Sequence, residues 1–80
     1  MNEPELSRLI AVLAEVVDLS GIEVTEASVL GTDIPIDSKD MLRVLARVRR
    51  RFGVTFNQRE VLALRTLGDL VALVRRSRKQ

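Results

Sequence analysis

Asp37 and Ser38 are the residues whose types and position best suit chemistry. They sit where the proline-stiffened loop Ile34-Pro35-Ile36 runs into an amphipathic helix ending near Gly53. A serine at that seam puts a hydroxyl at the positive end of a helix dipole, where an anion is favoured. A purely structural role is also open, since serine is a common N-cap, but Asp37 can take the cap and leave the hydroxyl free. The chain has no cysteine and no histidine. That excludes disulfides, thiolate metal sites, most nucleophilic triads and a neutral-pH proton shuttle. No acid–base constellation accompanies Ser38, so no catalytic residues and no metal ligands are assigned, and the chain is not expected to be an enzyme.

The elements that must hold this seam are helical. Pro4 suits a first helical turn, with Asn2 or Glu3 ahead of it. Leu6, Leu9, Ile10, Leu13, Val16 and Val17 then recur at three- and four-residue steps, predicting a first helix over about residues 3–18. Residues 21–37 change character. Glu23-Val24-Thr25 and Ser28-Val29-Leu30 favour strand locally, yet no partner strand is evident, and Gly31, Thr32, Asp33 and Pro35 predict a long ordered loop. Such a loop is long for so small a domain, and Ile22, Val24, Leu30, Ile34 and Ile36 are placed to pin it.

The second helix starts at Asp37 or Ser38, with Asp40 supporting its first turn and Gly53 ending it. Met41, Val44, Leu45, Val48 and Phe52 form its buried stripe, with Leu42 on the flank. Arg43, Arg47, Arg49, Arg50 and Arg51 take the remaining faces, where the dipole near the C-terminus accounts for part of the charge. Asn57 caps a short third helix from Gln58 to about Leu64, with Val61 and Leu64 inward. Thr66 with Asp69 caps a last helix whose stripe is Leu67, Leu70, Val71 and Val74, followed by a frayed basic tail at about 75–80. The expected architecture is all-α: one small bundle spanning 1–80, with three principal helices, a short third helix and a long first loop.

Composition agrees. Apolar residues make up 46%, with Phe52 and Phe56 the aromatics, as suits a compact helical core. No run of about 18 apolar residues and no basic leader is present, which predicts a soluble, cytoplasmic chain without a membrane span. Net charge of +2 conceals an asymmetry. Residues 1–40 hold nine acids against Arg8 and Lys39, a balance of −7; residues 41–80 hold eleven Lys and Arg against Glu60 and Asp69, a balance of +9. The basic half is suited to an acidic partner.

With Asp37-Ser38 opening the second helix, Phe52-Gly53-Val54 fourteen residues after the serine, Thr66-Leu67 opening the last helix, and Val24-Thr25 and Leu30 in the loop, the chain resembles the acyl carrier protein family over nearly its whole length. The resemblance implies that Ser38 carries 4′-phosphopantetheine, attached from coenzyme A by a phosphopantetheinyl transferase, with Asp37 and Lys39 beside it. The cofactor's thiol would hold an acyl group for fatty-acid, polyketide or related biosynthesis, which reconciles a thioester carrier with the absence of cysteine. It also implies an acyl chain folding back between the helices, with Leu30, Val44, Val48, Val61, Leu64 and Leu70 as candidate lining. The same residues also suit plain core.

Three features depart from the family's pattern, the third being the arginines Arg43, Arg49 and Arg50 of the second helix. Lys39 stands where leucine is usual, and Pro35 where glycine is common. The second helix, usually acidic toward partner enzymes, here offers Leu42, Arg43, Ala46, Arg49 and Arg50. The expected partners are acyl-loading and acyl-transfer enzymes with acidic or apolar docking surfaces, meeting a monomeric carrier. Two alternatives stay open: a carrier-like interaction module without cofactor, and a basic binder of nucleic acid or an anionic surface. No nucleic acid is expected, because the arginines share a helix with the buried stripe and no aromatic stacking platform accompanies them.

Overall fold

The computed structural model describes residues 4–78, and side chains from Glu5 to Ser77. Four helices form in order: α1 (Pro4–Val16), α2 (Ser38–Phe52), α3 (Gln58–Leu62) and α4 (Leu67–Arg78). The expected all-α bundle is what folds. Asn2 and Glu3, offered as caps of α1, and Lys79 and Gln80 of the tail lie outside the described residues. Arg75 to Arg78, expected to fray, complete the last turn of α4.

Apolar periodicity accounts for the core. Leu9, Val12 and Leu13 of α1, Val44, Leu45 and Val48 of α2, and Leu67, Leu70, Val71, Leu73 and Val74 of α4 are buried, and α1 packs against both α2 and α4. Val54 seals the turn after α2. Val12 and Leu73 join this core although the expected stripes omit them.

Two helices stop earlier than the pattern suggests, each for a local reason. After Val16 the Asp18 carboxylate accepts from the Ser20 N–H at 2.9 Å, closing a turn that competes with further helix. That bond holds the Asp18 pKa below its ordinary value. α3 ends at Leu62 because the chain must straighten for the Leu30 N–H to reach the Arg65 carbonyl at 2.8 Å.

The long loop is ordered by pairing rather than by a sheet. Val29 bridges Thr66, and Leu30 bridges Ile34, as isolated pairs. The N–H groups of Leu67 and Gly68, which have no partner within α4, donate to the carbonyls of Ser28 (3.0 Å) and Glu26 (2.8 Å). Thr66 and Asp69 complete the cap. Asp69 accepts from the N–H groups of Thr66 (3.0 Å) and Arg65 (2.9 Å), which keeps its pKa below the usual carboxylate value. Asp33 accepts from the Val29 N–H at 2.9 Å, and Ile34 and Ile36 are buried beneath.

Charge ties α2 to α1. Arg51 makes a bidentate contact with Glu15 at 2.6 and 2.7 Å, and Arg47 reaches the same carboxylate at 3.3 Å. The Arg51 hydrogen bond is the main reason the Glu15 pKa falls below its ordinary value. Arg8 lies 4.2 Å from the Phe52 ring centroid and donates to the Arg51 carbonyl at 3.3 Å, so a cation of α1 closes the C-terminal end of α2.

Candidate functional site

The buried Ile34 and Ile36 fix the loop so that Asp37 arrives in extended conformation (φ −101°, ψ −174°), the geometry an N-cap requires. Its Oδ1 accepts from the Asp40 N–H at 2.8 Å, while Asp40 Oδ2 accepts more loosely from the Asp37 N–H at 3.4 Å. This reciprocal box settles which residue caps α2. Asp37 does, and Ser38 becomes the first helical residue with its side chain exposed and its hydroxyl free of hydrogen bonds among the described residues. Lys39 follows, also exposed. A free hydroxyl, the first N–H groups of a fifteen-residue helix and a nearby ammonium suit a phosphodiester. Both neighbouring carboxylates are engaged in the cap.

Beside Ser38 opens a cleft of about 470 Å³ lined by Leu30, Gly31, Ile36, Asp37, Met41, Val61 and Leu64 as well as the serine itself. Of the candidate acyl-lining residues, Leu30, Val61 and Leu64 meet here. Val44, Val48 and Leu70 do not: each is 0% exposed and packed in the closed core beneath the cleft. Ile36, Met41 and Gly31 were missing from that set, Ile36 being expected only to pin the loop. Met41 was legible, because it lies three residues after Ser38 and so shares its side of the helix. Gly31 was not, because its place depends on a left-handed turn (φ +91°) set by the loop's pairing. A second groove, about 330 Å³ between α3 and α4, shares Leu64, but its carboxylates Glu60 and Asp69 are committed to helix caps.

The candidate docking residues are set apart from the other two arginines of α2. Leu42, Arg43, Arg49 and Arg50 are exposed and Ala46 is half-buried. Arg47 and Arg51, by contrast, turn toward Glu15.

A family profile described as a phosphopantetheine attachment site matches residues 7–74, which includes the Asp37-Ser38 seam and nearly all of the bundle. The chain belongs to the acyl carrier protein family. Among curated acyl carrier proteins it is similar to the meromycolate extension acyl carrier protein of Mycolicibacterium smegmatis, at 32% identity over 94% of this chain and 76% of the relative. The corresponding protein of Mycolicibacterium aurum is 33% identical over 85% of this chain and 74% of its own. An acyl carrier protein of Rhodococcus erythropolis is 32% identical over 85% and 79%. The prosthetic group of this acyl carrier protein is therefore phosphopantetheine, and the chain is a carrier acted on by other enzymes rather than an enzyme itself. Among the described residues, no helix is long and apolar enough to cross a membrane.

Proposed function

We propose that Ser38 is the attachment point, and that the protein is a specialised carrier of acyl groups in lipid biosynthesis. The observation that carries this assignment is the division of labour at the start of α2: Asp37 caps the helix, so the Ser38 hydroxyl is exposed and unbonded beside a partly apolar cleft. Ser38 Oγ would take up the phosphopantetheinyl phosphate of coenzyme A in the transferase, with 3′,5′-ADP leaving and the hydroxyl proton passing to a base of that enzyme. Lys39 and the free N–H groups at the start of α2 then stabilise the resulting phosphodiester charge. When bound, the group supplies the thiol on which an acyl chain is held as a thioester. Leu30, Ile36, Met41, Val61 and Leu64 offer the first apolar surface such a chain would meet.

Relatives named for meromycolate extension favour an acyl cargo undergoing chain extension for this carrier as well. Its partners would be a phosphopantetheinyl transferase and acyl-loading and acyl-transfer enzymes with acidic or apolar docking surfaces, met by a monomer in the cytoplasm. Incubation with coenzyme A, Mg²⁺ and a broad-specificity transferase, followed by intact mass, should add one phosphopantetheinyl group. Ser38→Ala should add none. Modification of Ser38→Ala, or no mass change in the unaltered chain, refutes the assignment.

A further inference from the structure

We propose that Lys39 is an acceptor for the acyl group that the carrier itself bears: its ε-amine takes that group from the thioester on the Ser38 arm and keeps it as an amide. This role deepens the carrier proposal and rests on it.

A chain that holds an activated acyl group is exposed to its own nucleophiles, and this chain has few. It contains no cysteine, histidine or tyrosine. Of its 13 basic residues, all are arginine except Lys39 and Lys79. A guanidinium stays protonated and takes no acyl group from a thioester. Serine and threonine hydroxyls are weak nucleophiles without an adjacent base. Lys79 lies outside the described residues. Among the described residues Lys39 is the sole lysine, and it directly follows the attachment serine.

Its surroundings leave the amine available. Neighbouring Cα atoms are about 3.8 Å apart, and helical side chains lean toward the N-terminus, which here is the Ser38 end. Lys39 is exposed, with no ion pair or hydrogen bond among the described residues. Both nearby carboxylates are occupied: Asp37 accepts from the Asp40 N–H at 2.8 Å, and Asp40 meets Arg43 at 3.5 Å. The helix dipole opposes a cation at this end of α2, so helix stability does not account for a lysine there. Nor does Lys39 line the cleft formed by Leu30, Met41, Val61 and Leu64. Its amine therefore stands in solvent, with whatever cargo the cleft does not hold. An acetyl group, with a single methyl to bury, offers too little apolar surface to be kept inside.

Tethering brings the two groups together. The arm and the four-carbon lysine stem are both flexible, and closing a ring between flexible chains costs little more as they lengthen. Short flexible tethers give effective concentrations on the order of millimolar, above that of a second carrier molecule in a micromolar solution. The step balances without a further reactant. Neutral Lys39 Nζ adds to the thioester carbonyl, a C–N bond forms, and the C–S bond breaks with its electron pair leaving on sulfur. The surplus proton on nitrogen passes through water to the thiolate. The product has an amide at Lys39 and a free thiol on the arm, and the cation beside the phosphodiester is gone.

The test loads the full chain with acetyl-phosphopantetheine from acetyl-coenzyme A, removes the transferase, and incubates in mildly alkaline buffer to raise the neutral fraction of lysines. Hydroxylamine then strips thioesters and leaves amides, and intact mass with peptide mapping counts and places the acetyl that remains. It should sit on Lys39 and form with a half-time unchanged by about tenfold dilution, as a tethered reaction requires. Ser38→Ala mixed with free acetyl-coenzyme A at the carrier's concentration should acquire it about tenfold more slowly or worse. Lys39→Arg should gain no resistant acetyl. Complete removal by hydroxylamine, a rate that falls in proportion to dilution, or an amide chiefly on Lys79 or the N-terminal amine overturns the proposal. If Lys39→Arg loads poorly, mapping on the unaltered chain decides alone. Intact mass before the incubation separates the two proposals: a loaded chain that forms no amide refutes the acceptor role only, whereas a chain that never loads refutes the attachment as well.

Discussion

The distinction between Asp37 as cap and Ser38 as free hydroxyl can be measured by a double-mutant cycle. Asp37→Ala removes the acceptor that holds the Asp40 N–H at 2.8 Å. Losing an N-cap side chain costs about 0.5–2 kcal/mol, typically about 1. In a domain of 80 residues that lowers Tm by about 4–8 °C. Ser38→Ala removes a hydroxyl that bonds to nothing described, at a position where alanine is the better helix former, so its effect should stay within about 0.5 kcal/mol. Once Asp37 is alanine, Ser38 is the nearest residue able to take over the cap by starting the helix one position later. Ser38→Ala in that background should then cost about 0.5–1 kcal/mol that it does not cost alone, a coupling above the error of additivity for independent sites. Urea and thermal unfolding followed by circular dichroism on the four proteins give the cycle. The Asp37→Ala chain should also be modified more slowly, its serine now engaged. A Ser38→Ala variant that loses as much stability as Asp37→Ala would show that the serine is the cap, and the role assignment would fail.

Two further predictions concern the frame that holds the site. Gly68→Ala places a Cβ 3.0 Å from the Glu26 carbonyl oxygen and 3.3 Å from its Cβ, at the point where the Gly68 N–H bonds that same carbonyl. Alanine's helix preference returns about 1 kcal/mol. Overpacking against backbone costs about 1–3 kcal/mol, and the strained hydrogen bond up to about 1 more. The substitution should therefore destabilise by about 0–3 kcal/mol, and a raised urea midpoint would contradict the close packing of the loop on α4. Stability should also fall in acid. Glu15, Asp18 and Asp69 have folded pKa values below their ordinary 4.5, 3.8 and 3.8, so their stabilising contribution is complete above those values and is lost as pH falls through them toward the folded values. Melting followed from about pH 6 to about pH 3 should show Tm declining, and Glu15→Gln should remove only part of the slope. A flat or rising profile would contradict the sign.

Much of the site was legible because its determinants are local. The pair Asp37-Ser38, the capping spacing to Asp40 and the left-handed stop at Gly53 act within one or two helical turns, and each is found where the residues put it. The stripes Leu9–Leu13, Val44–Val48 and Leu67–Val74 likewise follow from helical period alone. The loop was harder. Val29 and Leu30 have strand preference; Leu30 pairs within the loop, with Ile34, but Val29 finds its partner at Thr66, far away in sequence and near only after folding.

What the sequence by itself determined is therefore the helical architecture, the cap and the serine beside it, since backbone propensity, side-chain period and capping chemistry are short-range. What only the tertiary structure decided is which of several similar residues does which task. Five arginines on α2 look alike in sequence, yet Glu15, thirty-six residues from Arg51, takes two of them and leaves Arg49 and Arg50 to solvent. Six aliphatic residues were equally eligible to line the cleft, yet Val44, Val48 and Leu70 are closed into the core and Leu30, Val61 and Leu64 are not. Both outcomes depend on how helices pack against one another, which periodicity along a single helix does not contain.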